Sequence, residues 1–112
     1  MKRIAFASVL VWAVAASTTP AVGAEMNGKE VFAHYCTHCH GSDDGPGTMQ
    51  LSRTRGNDRG LLTERTDLAP DYIRYIVRHG LRSMPPFVPS DLTDGRLNAL
   101  VTFLMKPQAE RK

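Results

Sequence analysis

The chain's two cysteines, Cys36 and Cys39, stand three positions apart, and a histidine, His40, follows the second directly. If the stretch Cys36-Thr37-His38-Cys39-His40 forms one helical turn, positions i, i+3 and i+4 share a face, so both sulfurs and the imidazole address one flat object. That is the spacing of a c-type haem attachment site. The sulfurs would form thioethers with the two vinyl groups of a porphyrin, and the imidazole beneath it would bind the iron. Cys36 and Cys39 are therefore read as anchors of one covalent haem c, and His40 as its proximal ligand. A redox Cys-x-x-Cys pair would instead belong in a βαβ setting, and no alternating strand-like run surrounds this one. A zinc site would need a fourth ligand at paired spacing, which His34, His38 and His79 do not supply.

The iron also needs a sixth ligand or an open position. The methionines beyond Met1 are Met26, Met49, Met84 and Met105. Met26 lies beside the expected new N-terminus, Met105 on a packing helix, and Met49 so soon after His40 that wrapping to the opposite face of the ring is difficult. Met84 sits in Arg82-Ser83-Met84-Pro85-Pro86-Phe87-Val88-Pro89, where two prolines stiffen the backbone directly after it. Met84 is the expected distal ligand. His79 is its main competitor, although it reads more simply as the last-turn cation of a helix. A His/Met pair raises the haem potential and leaves no vacancy for substrate, which favours an electron carrier over a haem-based catalyst or gas sensor with an open sixth site.

Helices must position these groups. Asn27 and Glu30 have the spacing of a capping box, so a first helix is expected from about Gly28 into the haem motif. Asp94 to Met105 carries Leu97, Leu100, Val101 and Leu104 on one face with Phe103 beside them, an amphipathic helix. Crossing these two segments sets Gly28 and Phe32 against Leu100 and Phe103. Pro70-Asp71 opens another helix that Arg78, His79 and Gly80 close, with Tyr72, Ile73, Ile76 and Val77 as its buried stripe. Between His40 and that helix, Gly41 to Thr48 reads as a tight loop, with a carbonyl near Pro46 placed to accept a hydrogen bond from His40 Nδ1. Met49 to Asp67 reads as an Arg-rich loop with a short helix near Gly60 to Glu64, where one of Arg53, Arg55, Arg59 and Arg65 would neutralise a haem propionate. Asp43 and Asp44 lack the spaced acidic partners of a calcium loop. His34 and His38 are expected on the surface.

Met1-Lys2-Arg3, the apolar run Ile4 to Ala16 and the small residues Val22-Gly23-Ala24 read as a secretory signal peptide spanning residues 1–24, so the expected location is a bacterial periplasm. The run is shorter than the ~20 residues a membrane span needs, so no stable span is expected after cleavage. Residues 25–112 then form one small domain, and without a spare cysteine for a disulfide the cofactor itself must complete the core. The formal net charge of +3 owes much to Lys2 and Arg3. With the leader removed the charges nearly balance, so the basic pI gives no reason to expect nucleic-acid binding.

Taken together, the Gly/aromatic first helix, Cys36-x-x-Cys39-His40, the Met84 loop and the Leu100/Phe103 helix resemble the class I c-type cytochromes. That resemblance implies an all-α fold of three to five short helices around one covalently bound haem. Within the class, Tyr72 to Phe87 is similar to the matching segment of the cytochrome subunits of p-cresol methylhydroxylases, with a Tyr-Ile helix, Ile-Val-Arg, a glycine and an Arg-x-Met-Pro-x-Phe loop. The departure lies between Pro46 and Ala69, where this chain is longer and richer in arginine. The resemblance implies a non-enzymatic electron carrier that takes electrons from an FAD-containing flavoprotein dehydrogenase. The acceptor would be a downstream cytochrome, copper protein or oxidase. The alternatives are a free cytochrome serving a terminal oxidase, or a haem-based catalyst or gas sensor with an open sixth site. Arg82, Phe87 and Val88 are the expected docking groups around Met84.

Overall fold

The first helix begins where its capping residues dictate. The Asn27 side chain accepts from the Glu30 amide at 3.1 Å, and the Glu30 carboxylate accepts from the Asn27 amide at 2.8 Å, satisfying two amides a helix start leaves unpaired. The computed structural model describes residues 25–112, so the expected signal peptide lies outside the described residues. Five α-helices follow: α1 (Gly28–Tyr35), α2 (Thr37–His40), α3 (Pro46–Arg55), α4 (Pro70–His79) and α5 (Asp94–Met105). Short 3₁₀ turns occupy Asn57–Arg59, Leu62–Glu64 and Gln108–Glu110. Among the described residues, strand-like pairing is limited to one bridge between Leu81 and Met84.

The crossing of α1 and α5 forms the centre. A Cβ at Gly28 would run into the Ala99 carbonyl oxygen and lie 2.5 Å from Cβ of Phe103, so only glycine allows the backbones to approach this closely. Phe32 and Phe103 then meet with ring centroids 5.8 Å apart and planes tilted by 46°. Leu97, Leu100, Val101, Phe103 and Leu104 are all buried, as the period of α5 requires. Met26, expected at a frayed end, is half-buried and packs on this core.

Two segments differ from the sequence-based expectation. The stretch after Gly45 is not a loop but the ten-residue helix α3, begun by Pro46 at its first position and ended by Gly56 at φ 108°. Only Thr48 of α3 is buried, so there is no apolar stripe to betray it. On α4, Ile73 and Val77 are buried, whereas Tyr72 is 45% exposed. The helix meets the core along a narrow edge, and Tyr72 falls on the far side of it. The expected short helix near Glu64 is present as the turn Leu62–Glu64.

Candidate haem site

The helical turn expected around the cysteines is built, with a break at its entrance. Cys36, at φ −115°, ends α1, and its carbonyl accepts from the amides of Cys39 at 3.1 Å and His40 at 2.9 Å. The Thr37 hydroxyl ties the break down by donating to the Phe32 carbonyl at 3.2 Å. Cys36, Cys39 and His40 are each partly buried, and both thiols are free. Burial, with the neighbouring Cys39 adding to it, pushes the Cys36 thiol up to about 12. A sulfur so strongly held neutral suits an uncharged thioether better than a reactive thiolate. Among the described residues no three His, Cys, Asp or Glu side chains converge as a metal-holding cluster. His34 and His38 are exposed, as expected.

His40 is enclosed from the side of α3. A Cβ built at Gly47 would lie 2.5 Å from His40 Cε1 and 2.8 Å from its Nδ1, so the start of α3 rests on that edge of the ring. Burial lowers the pKa of His40, favouring the neutral imidazole that a metal requires. The hydrogen bond expected from His40 Nδ1 to a carbonyl near Pro46 is not made: Nδ1 is buried without a partner. Pro46 opens a helix here, so its carbonyl is directed along the α3 axis, as in any first helical turn.

Met84 is carried by an irregular segment fastened at several points. Gly80 takes φ +73°, and a Cβ there would lie 2.6 Å from the Met84 carbonyl oxygen. Leu81 and Met84 exchange backbone hydrogen bonds of 3.1 and 2.9 Å, closing a turn in which Arg82 holds φ +55°. Met84 itself is half-buried against the core cluster that also receives Cys36. Arg78, which sequence reasoning treated only as a helix-end cation, is the main fastening. Its Nη1 donates to the carbonyls of Phe87 at 2.8 Å and Leu92 at 2.9 Å, and its Nη2 pairs with Asp94. The Phe87 amide returns a bond to the Val77 carbonyl at 2.8 Å. Phe87, expected on the docking face, packs edge-on against Tyr35 at 6.0 Å, whereas Val88 and Leu81 remain exposed. The Tyr35 hydroxyl donates to the Asp91 carbonyl, so the end of α1 that leads into Cys36 is bonded to the chain just after the Met84 segment.

His79 is exposed, stacks on Tyr75 at 4.2 Å and engages the Tyr75 carbonyl through Nδ1 at 2.9 Å, the helix-end role expected of it. Of the candidate propionate partners, Arg65 is committed to Asp67 through a two-pronged contact of 2.8 and 2.9 Å. That pairing holds the Asp67 carboxyl down at about 2.

A helix crossing closed by Gly28, a Cys-x-x-Cys-His turn at the end of α1 and an irregular methionine segment after α4 define a class I cytochrome c fold. The chain belongs to the cytochrome c family whose profile, described as cytochrome c oxidase, cbb3-type, subunit III, matches residues 23–104. The cytochrome c subunit of 4-cresol dehydrogenase (hydroxylating) from Pseudomonas putida is 31% identical over 91 residues, spanning 81% of this chain and 69% of the relative. The crystal structure of p-cresol methylhydroxylase with substrate bound contains a chain of similar fold, with a TM-score of 0.55 and 31% identity. That similarity covers 71% of this chain and 90% of the other. The protein is a cytochrome c electron carrier like the cytochrome subunit of p-cresol methylhydroxylase. No helix among the described residues is long and apolar enough to cross a membrane.

Proposed function

We propose that residues 1–24 direct export to a periplasm, and that residues 25–112 carry one haem c joined through Cys36 and Cys39 and ligated by His40 and Met84. The donor is an FAD-containing dehydrogenase of the alkylphenol-oxidising type, and the acceptor a downstream cytochrome, copper protein or oxidase. The bound haem supplies one-electron iron chemistry, with a potential raised by a thioether ligand.

The chain's own residues do the rest. Cys36 and Cys39 present their sulfurs from one turn. His40 has its Nδ1 edge covered by Gly47, leaving Nε2 as the nitrogen free to bind. Arg78 and Tyr35 hold the Met84 segment to α5 and α1. Leu81, Arg82 and Val88, exposed around it, offer the surface on which a donor would dock.

The observation that carries this reading is the turn from Cys36 to His40, whose first sulfur packs on the same core as Met84. The test is periplasmic expression in a host that attaches haem c, followed by pyridine haemochrome and carbon monoxide difference spectra. A two-thioether haem that ignores carbon monoxide is expected. A carbon monoxide adduct would overturn the closed sixth position. Stopped-flow mixing with an FAD-dependent alkylphenol dehydrogenase, alone and against unrelated donors, tests the partner. Equal reduction by every donor would make the protein a free carrier.

A further inference from the structure

Gly47 occupies the second position of α3, where its φ lies in the ordinary range. Alanine is favoured over glycine inside a helix, so backbone freedom does not account for a glycine here. Space does. A Cβ would stand 2.5 Å from His40 Cε1, 2.8 Å from His40 Nδ1 and 2.8 Å from the Cys39 carbonyl oxygen. Carbon atoms rest at roughly 3.5–4.0 Å, so even a methyl group would force a displacement of about 1 Å. The Cys39 carbonyl belongs to the turn that carries both sulfurs, which leaves the imidazole and the start of α3 as the parts able to yield. The ring gets no help from hydrogen bonding, because Nδ1 is buried without a partner. Contact with the start of α3 is therefore the restraint that the structure shows on this edge of the ring.

We propose that Gly47 is the positioning residue of the proximal side: by having no side chain it lets the first turn of α3 lie flat on His40 and fixes the rotation of the imidazole. This rests on His40 being the iron ligand, as proposed above. The consequence is electronic. The plane of an axial imidazole orders the iron d orbitals, so rotating it changes the ferric spectrum and the potential even when both ligands stay bound.

The neighbouring Gly45 provides a matched control. A Cβ there would lie 2.7 Å from the Cys39 carbonyl oxygen and 3.1 Å from the Ser42 carbonyl oxygen, a clash with backbone and not with the ring. Gly47→Ala and Gly45→Ala should both lower the melting temperature of the holoprotein. Gly47→Ala alone should shift the low-spin ferric g values and the midpoint potential, with the sulfur-to-iron charge-transfer band retained. If Gly47→Ala has wild-type g values and potential, or both variants shift them alike, the proposal is wrong. The wild type provides a second measurement that needs no variant. In the diamagnetic ferrous protein, the Gly47 Hα protons should show strong nuclear Overhauser effects to His40 Hε1, and their absence would overturn the contact. A wild type with normal Gly47 contacts but a high-spin, carbon-monoxide-binding haem would instead sink the His/Met ligation and leave the Gly47 packing standing.

Discussion

Replacing Arg78 by methionine should loosen the Met84 segment without touching any proposed haem ligand. The Arg78 side chain is 19% exposed, and its guanidinium gives hydrogen bonds to the carbonyls of Phe87 and Leu92, one on either side of the turn around Pro89 that leads back toward α5. Methionine keeps most of the apolar stem but leaves both carbonyls without their donor. Each such loss costs about 1–3 kcal/mol where water cannot reach the acceptor. The Asp94 pairing adds little, since that carboxylate side chain is 82% exposed and an exposed ion pair is worth roughly 0–1 kcal/mol. The total is about 3 kcal/mol, a large part of the roughly 5–15 kcal/mol that holds a domain together.

This cost falls on one segment, so it should appear first as local opening. Met84 dissociation should become more frequent by about a hundredfold, at roughly 1.4 kcal/mol per factor of ten. If a deprotonating group captures the vacated iron, the midpoint of that exchange should fall by about two pH units. The assay is a pH titration of the near-infrared sulfur-to-iron charge-transfer band, run beside thermal denaturation. Asp94→Asn should move the midpoint only slightly. Should Arg78→Met keep the wild-type midpoint and melting temperature, the guanidinium is not what fastens Met84.

Gly28→Ala should destabilise the α1–α5 crossing by about 1–3 kcal/mol, because the methyl group meets the Ala99 carbonyl and Phe103; differential scanning calorimetry would measure it. The Asp67 carboxyl is held at about 2 chiefly by the Arg65 hydrogen bonds, below its unfolded value of 3.8. Its contribution to stability is thus present above pH ~4 and lost as pH falls toward ~2, so Asp67→Asn should lower stability slightly at neutral pH, converge with the wild type near pH ~2 and so flatten the acid limb of a stability curve. Cys36→Ala should retain a single thioether and shift the pyridine haemochrome band, while the double change with Cys39→Ala should yield little holoprotein; a folded, colourless double variant would show that the core does not need the haem.

The helices with a buried stripe or a capping pair were legible before any coordinates. α5 has all five of its expected apolar residues in the core, and Asn27 and Glu30 form both bonds of the expected box. The fit of Gly28 and Phe32 against α5 was equally readable, because a glycine and an aromatic four apart leave few ways to pack. α3 was hidden because its one fully buried residue, Thr48, is small and polar, and its opening Gly45-Pro46-Gly47 carries the composition of a turn. The usable sign was Pro46 at a first helical position with Gly56 after the last. Arg78 was hidden for a different reason. A cation in the last turn of a helix satisfies the dipole rule so completely that nothing local points to a clamp. Its two carbonyl acceptors lie in a loop that only the tertiary fold brings back to it.

That clamp changes how the Met84 segment divides its work. Gly80 at φ +73° and Arg82 at φ +55° reverse the chain tightly, and a non-glycine in that region costs of the order of 1 kcal/mol or more. A reversal under such strain keeps its shape only if its ends are fixed. Here the ends are fixed from inside the protein: the Phe87 amide on the Val77 carbonyl, the Phe87 and Leu92 carbonyls on Arg78, and the Phe87 ring on Tyr35. None of these contacts uses Leu81, Arg82, Ser83 or Val88, which are exposed. The side chains that fasten this short segment and the side chains exposed on it are therefore different, although the Leu81 backbone itself pairs with Met84. If the proposed docking surface is right, side-chain substitutions at the exposed positions should alter which donor docks while the Met84 thioether stays where the inner contacts put it. Substitutions at Arg78 or Tyr35 alter the site whichever donor is present.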